Sequence, residues 1–177
     1  MKAKLAITTL MVMSMISVGA MAADNGGKVT FTGEVVDSPC NLAPGQDGTD
    51  VKVDFGQLSM SQLNAGVKTS EPFTLKLENC SLTTTDGDTT TAKTVEITFK
   101  STDVDANNQS LLKTNGSATG LGIGIDGYTF DTATQIKGLV NGQNDLRFTA
   151  TAQRLASGTP VTAGDFIATT NFVIAYK

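Results

Sequence analysis

Gly26-Gly27-Lys28-Val29-Thr30-Phe31-Thr32-Gly33-Glu34-Val35-Val36 is the stretch on which the reading of this chain turns. Val29, Phe31, Gly33 and Val35 recur at every second position, and the side chains of an extended strand alternate between two faces. Lys28, Thr30, Thr32 and Glu34 take the other face. The pattern predicts a half-buried strand with one gap, at Gly33.

Ahead of it lies a targeting signal. Lys2 and Lys4 form a basic end, residues 5–18 an apolar run, and Ala20-Met21-Ala22 a small-x-small site, which predicts a leader over residues 1–22 and cleavage before Ala23. A membrane anchor is the alternative, but the run falls short of the ~20 residues a span needs. Removing 22 residues from 177 leaves 155, enough for one domain with a core. It also removes two lysines and takes the formal charge from −4 to −6. So acidic a chain is a poor fit to nucleic acid or to an anionic membrane. Cys40 and Cys80 are the two cysteines. In an exported chain an even, minimal count predicts a disulfide, with two free buried thiols as the alternative. A disulfide implies an oxidising compartment such as the bacterial periplasm.

Beyond residue 36, short alternating runs are bounded by turn dipeptides. Strands are expected over 51–55, 73–77, 95–99, 121–125, 135–140, 146–152 and about 165–176, with a helical turn near 59–65. Residues 81–93 read as polar with a tip at Asp86-Gly87, residues 103–117 as a surface loop despite Leu111-Leu112, and 157–160 as a turn. Seven or so strands with frequent turns predict an all-β sandwich of immunoglobulin-like architecture.

The end of the chain is unusual. Phe166, Phe172, Ile174 and Tyr176 share one face of the last strand, while Ile167, Val173 and Ala175 line the other. A strand apolar on both faces belongs inside a sheet, yet no strand follows to cover its second edge, and natural sheets protect such edges. Either an earlier strand covers it, or the domain is one strand short and another chain supplies that strand by β-strand addition.

The chain has no histidine, which removes Ser-His-Asp and Cys-His arrangements and the usual zinc and copper sites. Asp103 and Asp105 read as solvated carboxylates of a polar loop; the run 103–107 lacks the glycine and distal glutamate of a calcium loop. Residues 122–127 match G-x-G-x-x-G, but no helix follows to face a phosphate. There Leu121, Ile123 and Ile125 alternate with Gly120, Gly122 and Gly124, so the glycine face must lie flat under something bulky, as part of a groove or as simple packing. Neither catalytic residues nor a cofactor or metal site is expected.

Taken together, both ends of the chain resemble the major pilin subunits of chaperone–usher fimbriae, the type 1 and P pilus family. The resemblance spans the mature chain. Residues 26–40, ending Asp37-Ser38-Pro39-Cys40, look like the junction between a rod pilin's N-terminal extension and its first strand. Asp54-Phe55-Gly56-Gln57-Leu58 and Leu77-Glu78-Asn79-Cys80 match segments around the family's single disulfide, and Gly164 and Tyr176 match the family's C-terminal glycine and penultimate tyrosine. The resemblance implies an incomplete immunoglobulin-like sandwich, the pilin fold, lacking its last strand, with an extension over 23–34 and a pilin domain over 35–177. It implies that Gly27, Val29, Phe31, Gly33 and Val35 form a donor strand, and that Gly164, Phe166, Phe172, Ile174 and Tyr176 mark the acceptor groove and the chaperone and usher motif. The implied partners are other copies or other pilins, a periplasmic chaperone and an outer-membrane usher, with the fimbria at the cell surface serving adhesion. A minor or adaptor pilin, or a self-contained surface immunoglobulin-like binding module, are the alternatives.

Overall fold

The computed structural model describes residues 27–156 and 158–177. The predicted leader, Gly26 and Ser157 lie outside the described residues. The chain divides into two units, Met1–Val35 and Val36–Lys177, taken here one at a time.

In the first unit, residues 27–35 form no strand. Val29, Phe31 and Val35 are 74, 90 and 101% exposed. The alternating pattern is therefore not used as a half-buried strand within the first unit. Alternation gives the segment two chemically different faces, but a strand also needs a partner for its N–H and C=O groups.

The second unit is all-β apart from a 3₁₀ turn at Gly45–Asp47 and one short helix, α1 (Met60–Asn64). In chain order the strands are β1 (Asn41–Leu42), β2 (Thr69–Cys80), β3 (Thr83–Asp86), β4 (Thr89–Ala92), β5 (Val95–Lys100), β6 (Val104–Asp105) and β7 (Asn108–Lys113). They continue with β8 (Asn115–Gly116), β9 (Leu121–Ile125), β10 (Thr134–Ile136), β11 (Gly142–Arg154), β12 (Phe166–Ile167) and β13 (Asn171–Tyr176). A six-stranded sheet runs β1-β2-β11-β9-β7-β6, and a three-stranded sheet runs β10-β5-β13. Two small pairs, β12-β8 and the β3-β4 hairpin, complete the unit.

The core forms where one-sided strands of the two sheets face each other. Leu75, Leu77, Leu146 and Phe148 come from β2 and β11, and Val95, Ile97 and Phe99 from β5. Phe99 meets Phe148 edge-on at 5.4 Å, and Phe73 stacks on Phe148 at 5.2 Å. The Cys40–Cys80 disulfide joins the start of the unit to the end of β2. Ser59 caps α1 by accepting from the Gln62 N–H, at the predicted helical turn.

Four expectations change. Residues 51–55 alternate in burial as predicted, with Val51, Val53 and Phe55 half-buried, but no strand forms. Residues 103–117 are not simply a surface loop, for they carry β6, β7 and β8, and both leucines are buried. Leu112 enters the core. Leu111 points the other way, where a Cβ on Gly124 would lie 3.1 Å from its Cδ2 and one on Gly122 would lie 2.5 Å from Leu155 Cδ2. The glycine face of β9 does lie under bulky side chains. Asp105 is buried rather than solvated, and its Oδ2 has no hydrogen-bond partner among the described residues. The last strand is broken into β12 and β13, and it is not buried on both faces, since Ile167 and Val173 are exposed.

Candidate functional site

β13 lies at the edge of its sheet. It pairs with β5 from Asn171↔Lys100 to Tyr176↔Val95, and its other edge pairs with no strand among the described residues. Period-two alternation turns Phe172, Ile174 and Tyr176 toward the core and Asn171 and Val173 outward. Across from the start of this strand runs the segment 51–58, also in no strand. Its N–H groups find only local side chains: Lys52 donates to Gln46 Oε1 at 2.7 Å and Gly56 to Asp54 Oδ1 at 2.8 Å.

Between these two backbones the sandwich is open. A trough of about 800 Å³ has Val51, Val53 and Phe55 on one side and Phe166, Ala168 and Phe172 on the other. Its floor is apolar and comes from both sheets, with Leu75, Phe99, Ile123 and Ile125 among its residues. A second cavity of about 500 Å³ shares Val53, Phe55 and Phe166 with the first and extends it over Leu63 and Leu121. Phe55 and Phe166 face each other where the two meet, with ring centroids 6.4 Å apart.

Close backbone packing holds the wall that leads into β13. Gly164 has φ +152°, and a Cβ there would lie 2.5 Å from both the Ala118 nitrogen and Ser117 Oγ. Asp165 donates its N–H to Ser117 Oγ at 2.9 Å, and Ala118 donates to the Asp165 carbonyl at 3.1 Å. Gly116, opposite, has no room for a Cβ against the Asp165 carbonyl. At the far end, burial raises the Tyr176 pKa above the usual tyrosine value, and a hydrogen bond from Ser38 partly offsets the rise.

Of the C-terminal residues singled out from sequence, Gly164 and Phe166 line the second cavity, and Phe166 and Phe172 line the main trough. Ile174 and Tyr176 pack against the core beyond it. Sequence reasoning missed the facing wall, because 51–55 reads as an ordinary strand. It left the role of the glycine-rich strand undecided, and there Ile123 and Ile125 line the trough while Gly122 and Gly124 do not. Among the described residues no group of histidine, cysteine, aspartate and glutamate is arranged to hold a metal, and no helix is long and apolar enough to cross a membrane.

A two-sheet sandwich with an apolar trough, bordered by an unpaired edge strand, defines an immunoglobulin-like fold of the pilin type. The comparisons with known proteins agree. A family model described as fimbrial protein matches residues 29–177. The chain is 38% identical to the Fimbria A protein of Serratia marcescens, with 98% of each chain covered. It is 36% identical to the Pap fimbrial major pilin protein of Escherichia coli, covering 85% of this chain and 84% of that one. Among solved structures it resembles a subunit of a chaperone–usher pilus, at 32% identity and a TM-score of 0.74, over 89% of this chain and 99% of that one. It also resembles the P pilus rod subunit PapA, at 29% identity and a TM-score of 0.68, over 79% of this chain and all of that one. The chain belongs to the fimbrial protein family. It is a structural subunit of a surface fimbria.

Proposed function

We propose that this subunit polymerises head to tail by donor-strand exchange, as a major, rod-forming pilin contributing to adhesion. The extension over 23–34 leaves a pilin domain over 35–177 and enters the trough of the next copy. Val29, Phe31 and Val35 are the inserted side chains, and Gly27 and Gly33 lie on the same face. The observation that carries this is the pair of vacant backbones flanking an apolar trough: β13 on one side, residues 51–58 on the other. An extended segment between them meets hydrogen-bonding groups on both sides and an apolar floor beneath. Each Val or Phe fully buried there contributes about 1.5–3 kcal/mol, and each ladder bond a further ~1 kcal/mol.

The same vacancy explains the need for a periplasmic chaperone, which fills the trough before assembly, and for an outer-membrane usher, where the exchange takes place. Gly164, Phe166, Phe172, Ile174 and Tyr176 form the motif that both read. Supporting this, Phe73 and Ile123 of one sheet and Phe172 of the other are only partly covered in the trough, an aggregation hazard for a free monomer.

The test is expression of the mature chain with and without its chaperone, together with Gly33→Asn. Without the chaperone the chain should aggregate or polymerise slowly. With it, Gly33→Asn should be captured normally yet give no filaments by electron microscopy. A stable soluble monomer lacking any partner, or normal filaments from Gly33→Asn, overturns the proposal.

A further inference from the structure

The two walls are tied together beside the second cavity, which extends the trough at one end. Asn64 closes α1, which directly follows the 51–58 wall. Its Nδ2 donates to the Val161 carbonyl at 2.9 Å, and its Oδ1 accepts from the Val161 N–H at 2.8 Å. Val161 is buried and opens the opposite wall, residues 161–166. The carboxamide thus makes both bonds that a neighbouring strand residue would make, across 97 positions of sequence. Below it, Leu63 and Val161 share a small core cluster with Leu121 and Ala152.

The rest of the geometry makes this contact a spacer. The 161–166 wall is fixed to the loop beneath it, through Thr162 donating to the Thr119 carbonyl at 3.1 Å and through the bonds at Ser117 and Ala118. The 51–58 wall has no backbone–backbone hydrogen bond to another segment among the described residues. Beyond the packing of Val51, Phe55 and Leu58 on the core, its contacts with the other wall are the Phe55–Phe166 ring contact, which can slide, and the Asn64 amide, whose paired hydrogen bonds fix both distance and direction.

We infer that Asn64 is a positioning residue for strand uptake: its bidentate pairing with Val161 holds the trough at the width of one strand. The inference rests on the donor-strand reading above. A subunit without this strut spends less of its time with the trough open to the right width, and the rate of uptake falls with that fraction.

A matched control exists in the same fold. Asn144 makes the same reciprocal pair with Val140, both bonds at 2.8 Å, and Val140 lines neither cavity, whereas Val161, the partner of Asn64, lines the second. The experiment takes the chaperone-bound subunit, adds a synthetic peptide of residues 23–37, and follows formation of the peptide complex by native mass spectrometry. Asn64→Leu, which removes both bonds at similar volume, should slow uptake about tenfold, whereas Asn144→Leu should leave the rate within about twofold. Asn64→Gln keeps the amide but lengthens the strut by one methylene, and it should also slow uptake while thermal stability stays close to wild type. Equal rates for wild type and both Asn64 variants overturn the inference, as does equal slowing by Asn144→Leu, which would mark a general loss of stability. If Asn64→Leu does not fold, Asn64→Gln decides on the same criterion. A wild-type subunit that takes up no peptide overturns the donor-strand reading itself, and the inference with it.

Discussion

Single residues matter here chiefly by what they leave no room for. Gly164 carries no side chain because the Ser117–Ala118 backbone occupies the space where a Cβ would sit. Gly164→Ala should therefore destabilise the subunit by about 1–3 kcal/mol through strain and displaced packing, read by urea denaturation of the peptide-complemented form. Tyr176 offers a pH test. Its folded pKa is raised, so the folded state holds that proton more tightly than the unfolded chain. The contribution is fully present below the ordinary tyrosine value near ~10 and is lost as pH rises through the raised folded value. Tyr176→Phe should flatten the fall in stability of the complemented subunit in that window, relative to wild type, in melts between neutral and alkaline pH. Some residues were legible in the sequence and others were not, for definite reasons. Val95, Ile97 and Phe99 face one core and alternate cleanly. Leu111 and Leu112 are consecutive, so no single face explains both; the second partner is the glycine surface of β9, apparent only once the sheet is assembled. Asp105 is buried beside a register shift in the β6–β7 pairing, which its polar neighbours in sequence do not reveal.

At the scale of elements, periodicity reports faces and says nothing of pairing. Residues 51–55 alternate as a strand does and bury alternate side chains, yet they have no ladder. Residues 27–35 also alternate in sequence without a ladder, and there every side chain is exposed. The segments that read as strands but pair with nothing are the ones the proposed function needs, since a strand signal without an intramolecular partner marks a vacancy. The reading of the last strand erred the other way. Ile167 and Val173 read as a second buried face, but each is exposed, and β13 has one core beneath it and solvent above. Phe172→Ala and Val173→Ala should accordingly differ. The first removes a ring from the trough and should cost about 2–4 kcal/mol in the complemented subunit; the second should stay within about 0.5 kcal/mol. Thermal or urea unfolding of the two variants side by side measures the contrast.

For the whole molecule, the disulfide connects the root of the extension to the larger sheet. The bond closes a loop over 40 positions, worth about 4 kcal/mol in the chain-entropy view. Replacing both cysteines, Cys40→Ser with Cys80→Ser, should lower the yield of chaperone-bound subunit severalfold in periplasmic extracts, with any surviving subunit less resistant to denaturant. In the proposed assembly a head-to-tail contact that never closes on itself builds an open filament, whose lifetime would be governed by how slowly a seated strand leaves its trough rather than by equilibrium affinity.

The way the extension is rooted also has a mechanical meaning. Pro39 accepts from the Ser81 N–H at 2.8 Å, and the very next residue is cross-linked to Cys80, where β2 ends. β2 in turn lies along β11 in a ladder running from Thr69 to Cys80. In the proposed assembly, tension drawn along the fibre by flowing liquid would reach a covalent anchor as soon as it entered the body of a subunit, and would then be shared among many hydrogen bonds side by side. The weakest link under load is thus the seam between neighbours, so a stretched filament should part there with each globule still intact.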